Sequence, residues 1–99
     1  MAKNQDIHVQ FANILKWIGA GTLERDNLVR LKSVAEKQKI SCSNSTDANF
    51  FIALWRLCAE FMQTEPNQAN VVRNIDVVNN YLKSTSPAYI DMFRLGAST

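Results

Sequence analysis

The sequence predicts an all-α fold: a single helical domain over residues 1–99, built as a compact antiparallel bundle of five to six helices. Three observations carry this. Turn formers are scarce, with 3 Gly and 2 Pro in 99 residues, fewer than a strand-rich domain needs for its reversals. Large apolar residues recur at i, i+4, i+7, i+8 and i+11, the spacing that lines one face of a helix. Each apolar run also follows an Asp, Thr or Ser suited to capping a helix N-terminus. A chain of this length supports one hydrophobic core, with little apolar area to spare.

Asp6 is the expected cap of the first helix. Ile7, Phe11, Ile14, Leu15 and Ile18 form its inward face, and Gly19 with Gly21 ends it, because glycine accepts the left-handed conformation of a helix C-terminus. Thr22 is the expected cap of the second helix. Leu23, Leu28, Leu31, Val34 and Ala35 point inward, while Arg25, Asp26, Arg30, Lys32, Glu36 and Lys37 occupy the other side. The run Ser41-Cys42-Ser43-Asn44-Ser45-Thr46 stops this helix near Ile40 and reads as the one long loop. A short sixth helical turn is expected inside residues 40–47.

Thr46 or Asp47 is expected to cap the third helix. Its stripe is Phe50, Leu54, Leu57, Cys58 and Phe61, widened by Phe51, Trp55 and Met62. The resulting apolar arc spans roughly 160°, which predicts a central helix with several neighbours. Arg56, Glu60 and Gln63 make its polar strip. Thr64-Glu65-Pro66 opens the fourth helix, with proline tolerated in the first turn, and Val71, Ile75, Val78 and Leu82 form its core face. Ser84-Thr85-Ser86-Pro87 ends it and starts a fifth, with Ser86 as cap and Pro87 at the first helical position. Tyr89, Ile90 and Phe93 point inward there, and Gly96 closes the helix.

The charge balance points away from nothing decisively. Eleven Lys and Arg against nine Asp and Glu leave a net charge of +2, low for a protein that lives on phosphate backbones. No stretch approaches the roughly 20 apolar residues of a membrane span, and the N-terminus leads into an amphipathic segment unlike a signal peptide. Asn44-Ser45-Thr46, formally a glycosylation sequon, is therefore not expected to be glycosylated. Cys42 and Cys58 lie outside any Cys-x-x-Cys pattern, and free thiols in a cytoplasmic protein are the expectation.

Catalytic constellations are missing. The single histidine, His8, lies at the edge of the first helix, and neither cysteine has a local activating context. The nine acids are scattered singly, which argues against a metal centre. Gly19-Ala20-Gly21 falls far short of a phosphate-cradling loop. No enzyme, no metal and no cofactor are expected. Two features point to binding instead. Trp17 falls off the first helix's apolar stripe beside Gln10 and Asn13, and Tyr81 with Val77 sits to one side of the fourth helix's core face; exposed Trp and Tyr are enriched in interface hot spots.

The segment Thr22-Leu23-Glu24-Arg25-Asp26-Asn27-Leu28-Val29-Arg30-Leu31-Lys32-Ser33 resembles the second helix of death effector domains, with its acidic-then-Leu pattern and following Leu-Lys. Asp47-Ala48-Asn49-Phe50-Phe51-Ile52-Ala53-Leu54 resembles that family's approach to its fourth helix. The similarity covers residues 11–58. The family's Arg-x-Asp-Leu motif is absent, and Tyr89-Ile90-Asp91-Met92 is no substitute for it, which counts against the charge triad through which those domains assemble. The resemblance implies a six-helix module working by homotypic contact, with Glu24, Asp26 and Arg30 on its surface.

The sequence therefore points first to a non-enzymatic protein–protein interaction module, an adaptor, inhibitor or assembly subunit. Its partner is another protein or a second copy of itself. Trp17 and Tyr81 are the candidate anchors, and Glu24, Arg25, Asp26, Arg30 and Lys37 are the charged residues that tune specificity and on-rate. The alternative is a small nucleic-acid-associated regulator or nucleoprotein that sets Arg25, Arg30, Lys32, Lys37 and Lys39 against phosphate.

Overall fold

The computed structural model describes residues 6–84, which form four α-helices: α1 (Ile7–Ile18), α2 (Arg25–Ser41), α3 (Ser45–Phe61) and α4 (Gln68–Ser84). Among these residues there is no strand, and the all-α class holds. The fifth helix expected from Ser86 and Pro87, with Tyr89, Ile90, Phe93 and Gly96, lies outside the described residues.

α1 begins and ends as its sequence dictates. The Asp6 carboxylate accepts the His8 backbone N–H at 2.8 Å, filling one of the orphan donors of the first turn. That hydrogen bond, with a second from the His8 ring, holds the Asp6 carboxyl below the usual carboxylate range. At the other end Gly19 adopts φ 73°. Ala20 N–H then donates to Leu15 O at 2.8 Å and Gly19 N–H to Lys16 O at 3.2 Å, the paired closure of a Schellman motif. Phe11, Ile14, Leu15 and Ile18 are all buried.

The three remaining N-termini fall at different residues from those expected. Glu24, not Thr22, is the N-cap residue of α2, and its side chain makes no capping bond. Thr22 is engaged elsewhere: its Oγ1 accepts the Asn27 side-chain amide at 3.2 Å. This bond folds Asn27 under Gly21, whose φ is 99° and where an added Cβ would lie 2.7 Å from Asn27 Nδ2. The long loop and short helical turn expected between α2 and α3 do not form. α2 runs to Ser41 and α3 starts at Ser45, so residues 42–44 alone connect them. The polar residues there are consumed as caps. Ser41 Oγ donates to Lys37 O at 3.1 Å, Asn44 Oδ1 accepts Asp47 N–H at 2.8 Å, and Asn44 Nδ2 returns a bond to Asp47 Oδ2 at 3.1 Å. Polar side chains that bond nearby backbone favour helix ends as readily as loops. For α4 the cap is Asn67, whose Oδ1 accepts Asn70 N–H at 3.0 Å, so Thr64-Glu65-Pro66 belongs to the connection and not to the helix.

α3 is the central helix. Phe50, Phe51, Ala53, Leu54, Leu57 and Cys58 are buried along it, and both α2 and α4 pack against it, while α1 packs on α4. Phe11 of α1 stacks on Phe61 at the end of α3, with ring centroids 4.9 Å apart. α4 buries Val71, Ile75, Val78 and Leu82 as expected, together with Asn74 and Tyr81. Asp47 at the start of α3 meets Tyr81 near the end of α4, and Glu60 near the end of α3 meets Asn67 and Asn70 at the start of α4. The two helices are therefore antiparallel.

Tyr81 corrects the sequence reading. It is 6% exposed, its ring stacks on Phe50 at 4.2 Å with planes 14° apart, and its hydroxyl donates to Asp47 Oδ1 at 2.8 Å. It is a core residue that ties α4 to the start of α3, and it is not a surface anchor. Tyr81→Phe is expected to keep the stack but lose a hydrogen bond to a carboxylate, a cost of about 1.5–3 kcal/mol, readable as a lower urea midpoint at unchanged slope.

Cys58 carries a pH-dependent contribution. Burial pushes its thiol up to about 12, against a small opposing effect from Lys32. In the unfolded chain the thiol ionises near its ordinary value of about 8.5. Between these values the unfolded state holds fewer protons than the folded one, so stability falls as pH rises through that window. Urea titrations at mildly and strongly alkaline pH are expected to show this loss, and Cys58→Ala is expected to reduce it.

Candidate functional site

The outward face of α2 is the first surface that the fold offers. At about 100° per residue, Val29, Ser33, Glu36 and Ile40 fall within an arc of about 60°, all exposed. Ile40 is 75% exposed and Val29 46%. Asp26, Arg30 and Lys37 are exposed to one side of this arc, Arg25 is exposed to its other side about 140° round from Arg30, and Glu24 is exposed at the helix start. None of these lysines or arginines has a carboxylate among the described residues within ion-pair distance. The apolar members Val29 and Ile40 were hidden in the sequence by the charges around them. Their signal was available in the wheel, since both fall about 100–180° round from Leu28, Leu31 and Ala35.

Trp17 is 48% exposed, as its off-stripe position implied. It stands on α1, which packs against α4 and makes no extensive contact with α2. The expected anchor and the expected charged face are thus on different helices. Val9 is also exposed on α1, on the outward side that carries Asn13, Lys16 and Trp17.

A second cluster lies on the opposite flank of α2. Lys32 and Lys39 project about 150° round the helix from Arg30 and Lys37. Their ammonium groups stand 5.1 Å and 4.8 Å from the centroid of the Trp55 ring on α3, within cation–π range. Trp55 is half-buried, and its Nε1–H is fully shielded with no hydrogen-bond partner, a deficit that ordinarily costs about 1–3 kcal/mol. The same indole lines a groove of about 280 Å³ between α3 and α4, together with Arg56, Ala59, Glu60, Asn70, Arg73 and Asn74. The Glu60 carboxylate is already in use: Oε1 accepts Asn67 N–H at 2.9 Å and Oε2 accepts the Asn70 amide at 3.4 Å. The basic residues that look like one set along the sequence are therefore divided between two surfaces. Arg30 and Lys37 serve the outer face, and Lys32 and Lys39 belong with Trp55.

His8 has a local role. Its Nδ1 lies 3.0 Å from Asp6 Oδ1, and its ring meets Phe61 edge-on at 5.0 Å. The pair borders an open cleft of about 550 Å³ with Ile7, Thr64, Glu65, Pro66 and Gln68, where Asp6 primarily caps α1. Cys42 is half-buried and Cys58 buried, both as free thiols. Among the described residues no three His, Cys, Asp or Glu are grouped closely enough to hold a metal ion, and no helix is long and apolar enough to cross a membrane.

The two tryptophans give separable optical reports. Trp55→Phe, which leaves Trp17 emitting, is expected to fluoresce at longer wavelength and to be quenched by acrylamide several-fold more strongly than Trp17→Phe.

No family model, no curated protein and no solved structure matches the chain.

Proposed function

We propose that the protein is a non-enzymatic interaction module that docks through the outer face of α2, with a second copy of itself as partner. The observation that carries this reading is the exposure of Ile40 and Val29 on a helix whose remaining outward residues are charged or, at Ser33, polar. Exposed apolar side chains ringed by charge are the arrangement of an interface core within a polar rim. The rim holds both signs, Arg25, Arg30 and Lys37 against Glu24, Asp26 and Glu36. A surface of mixed sign can complement itself across a two-fold axis, as an isologous contact requires. Association through Glu24, Asp26 and Arg30 is also what the resemblance to death effector domains implies. Trp17, on a separate helix, is a second anchor in this reading, able to engage a further copy or partner. The charges set encounter rate and discrimination, while Ile40, Val29 and Trp17 supply the desolvated area.

Light scattering and sedimentation across a range of concentrations test the reading. The chain is expected to self-associate, and Val29→Glu with Ile40→Glu is expected to weaken that association at least about tenfold. Because both side chains are exposed, the double variant should keep its thermal stability to within about 0.5 kcal/mol per site. A chain that stays monomeric at the highest concentration, or a double variant that associates as well as the parent, would overturn it.

A further inference from the structure

We infer that the Trp55 cluster is a second binding site, for the phosphates and bases of a single-stranded nucleic acid, separate from the outer face of α2. The inference rests on how the fold gathers charge. Lys32 and Lys39 from α2, Arg56 from α3 and Arg73 from α4 all border one indole or the groove that it lines. Both ammonium groups lie within about 5 Å of one ring centroid. They therefore stand no more than about 10 Å apart, within reach of one anion. Among the described residues, none of these four cations has a carboxylate within ion-pair distance. Glu36, on the outer face of α2 about 40–60° round from the two lysines, and Glu60, in the groove, are the neighbouring acids, and Glu60 is held by Asn67 and Asn70. A phosphate bridging the lysines would add a counter-charge without competing with an existing ion pair.

The groove favours a single strand over other anions. It is concave, about 280 Å³ in volume, and walled by flat groups: the indole of Trp55, the guanidinium groups of Arg56 and Arg73, and the amides of Asn70 and Asn74. Unstacked bases are recognised by aromatic and guanidinium planes beside hydrogen-bonding amides. A duplex keeps its bases stacked inside and is read by elements that protrude into its grooves, which a cleft between two helices does not provide. The arrangement also reconciles binding with a net charge of +2: the electrostatic contribution is local to one cluster, and few phosphates are neutralised.

Fluorescence anisotropy of a labelled 12-nucleotide oligothymidylate, titrated with the full chain at several salt concentrations, tests this. Binding is expected at low salt, with a log–log salt slope of about −2 to −3 for three or four phosphates at 0.7 each. Lys32→Ala with Lys39→Ala should weaken binding about tenfold or more and flatten the slope by about 1.4. Arg73→Ala should weaken it independently. Arg30→Ala with Lys37→Ala, on the other flank, should leave affinity within about twofold and so separates this site from the self-association surface. In the Trp17→Phe background the remaining Trp55 emission should change on binding. Several outcomes would overturn the inference: no binding at low salt, equal affinity for a duplex of the same length, an affinity for thymidine triphosphate that matches the oligonucleotide, or an affinity unaltered in Lys32→Ala with Lys39→Ala. A thermal melt of each variant guards against loss of fold being read as loss of binding.

Discussion

The burial of α3 on two sides is the constraint on which the rest of the molecule depends. From Ala53 round to Phe51, its buried residues cover an arc of about 160°, too wide for one neighbouring helix to cover. α2 takes one side and α4 the other, and α1 reaches α3 where Phe11 stacks on Phe61. Truncating a phenylalanine at such a position ordinarily costs about 3–5 kcal/mol, a large part of the stability of a domain this small. Phe50 shows how the constraint propagates. It lies fully buried against Phe51 and stacks on Tyr81, so the register of α4 against α3 is set where the aromatic rings meet and the Tyr81 hydroxyl finds Asp47.

That central burial has a consequence at the edge of the α2–α3 seam. Trp55 stands about 40° beyond the buried arc of α3 and is half-buried. Lys32 and Lys39, two turns apart on α2, bring their ammonium groups to the ring. Long cationic side chains cover apolar surface while keeping the charge in water, so a packing solution also concentrates positive charge. The indole N–H left without a partner shows that packing did not satisfy every polar group there. The same helix presents Val29 and Ile40 outward among charges of both signs, about 60–100° round from Lys32 and Lys39.

Helix ends in this chain are governed by local polar chemistry more than by apolar pattern. Asn44 and Asn67 cap α3 and α4 through the same contact, a side-chain oxygen accepting the N–H three residues on. The sequence reading puts Asn44 in a loop and Asn67 inside a helix opened by Thr64-Glu65-Pro66; both cap because the asparagine amide competes with the backbone for hydrogen bonds. The polar run between α2 and α3 therefore became two helix ends and a three-residue link.

What the sequence alone determined is the part set by spacing along one chain. The positions of the four described helices, the stripes Phe11-Ile14-Leu15-Ile18 and Val71-Ile75-Val78-Leu82, the central place of the third helix and the Asp6 and Gly19 ends of the first all follow from periodicity and capping, which act over a turn or two. What only the tertiary structure decided is the fate of side chains off the stripes. Trp17 and Tyr81 look alike in the sequence, each an aromatic to one side of a helix face. Tyr81 is covered because Phe50 and Asp47 arrive from a helix more than thirty residues away, whereas Trp17 stays 48% exposed. Lys32 and Lys39 likewise look like any charged helix face until Trp55 is brought beneath them. Exposure at the margin of a helix depends on what the next helix places there, and no local period encodes that.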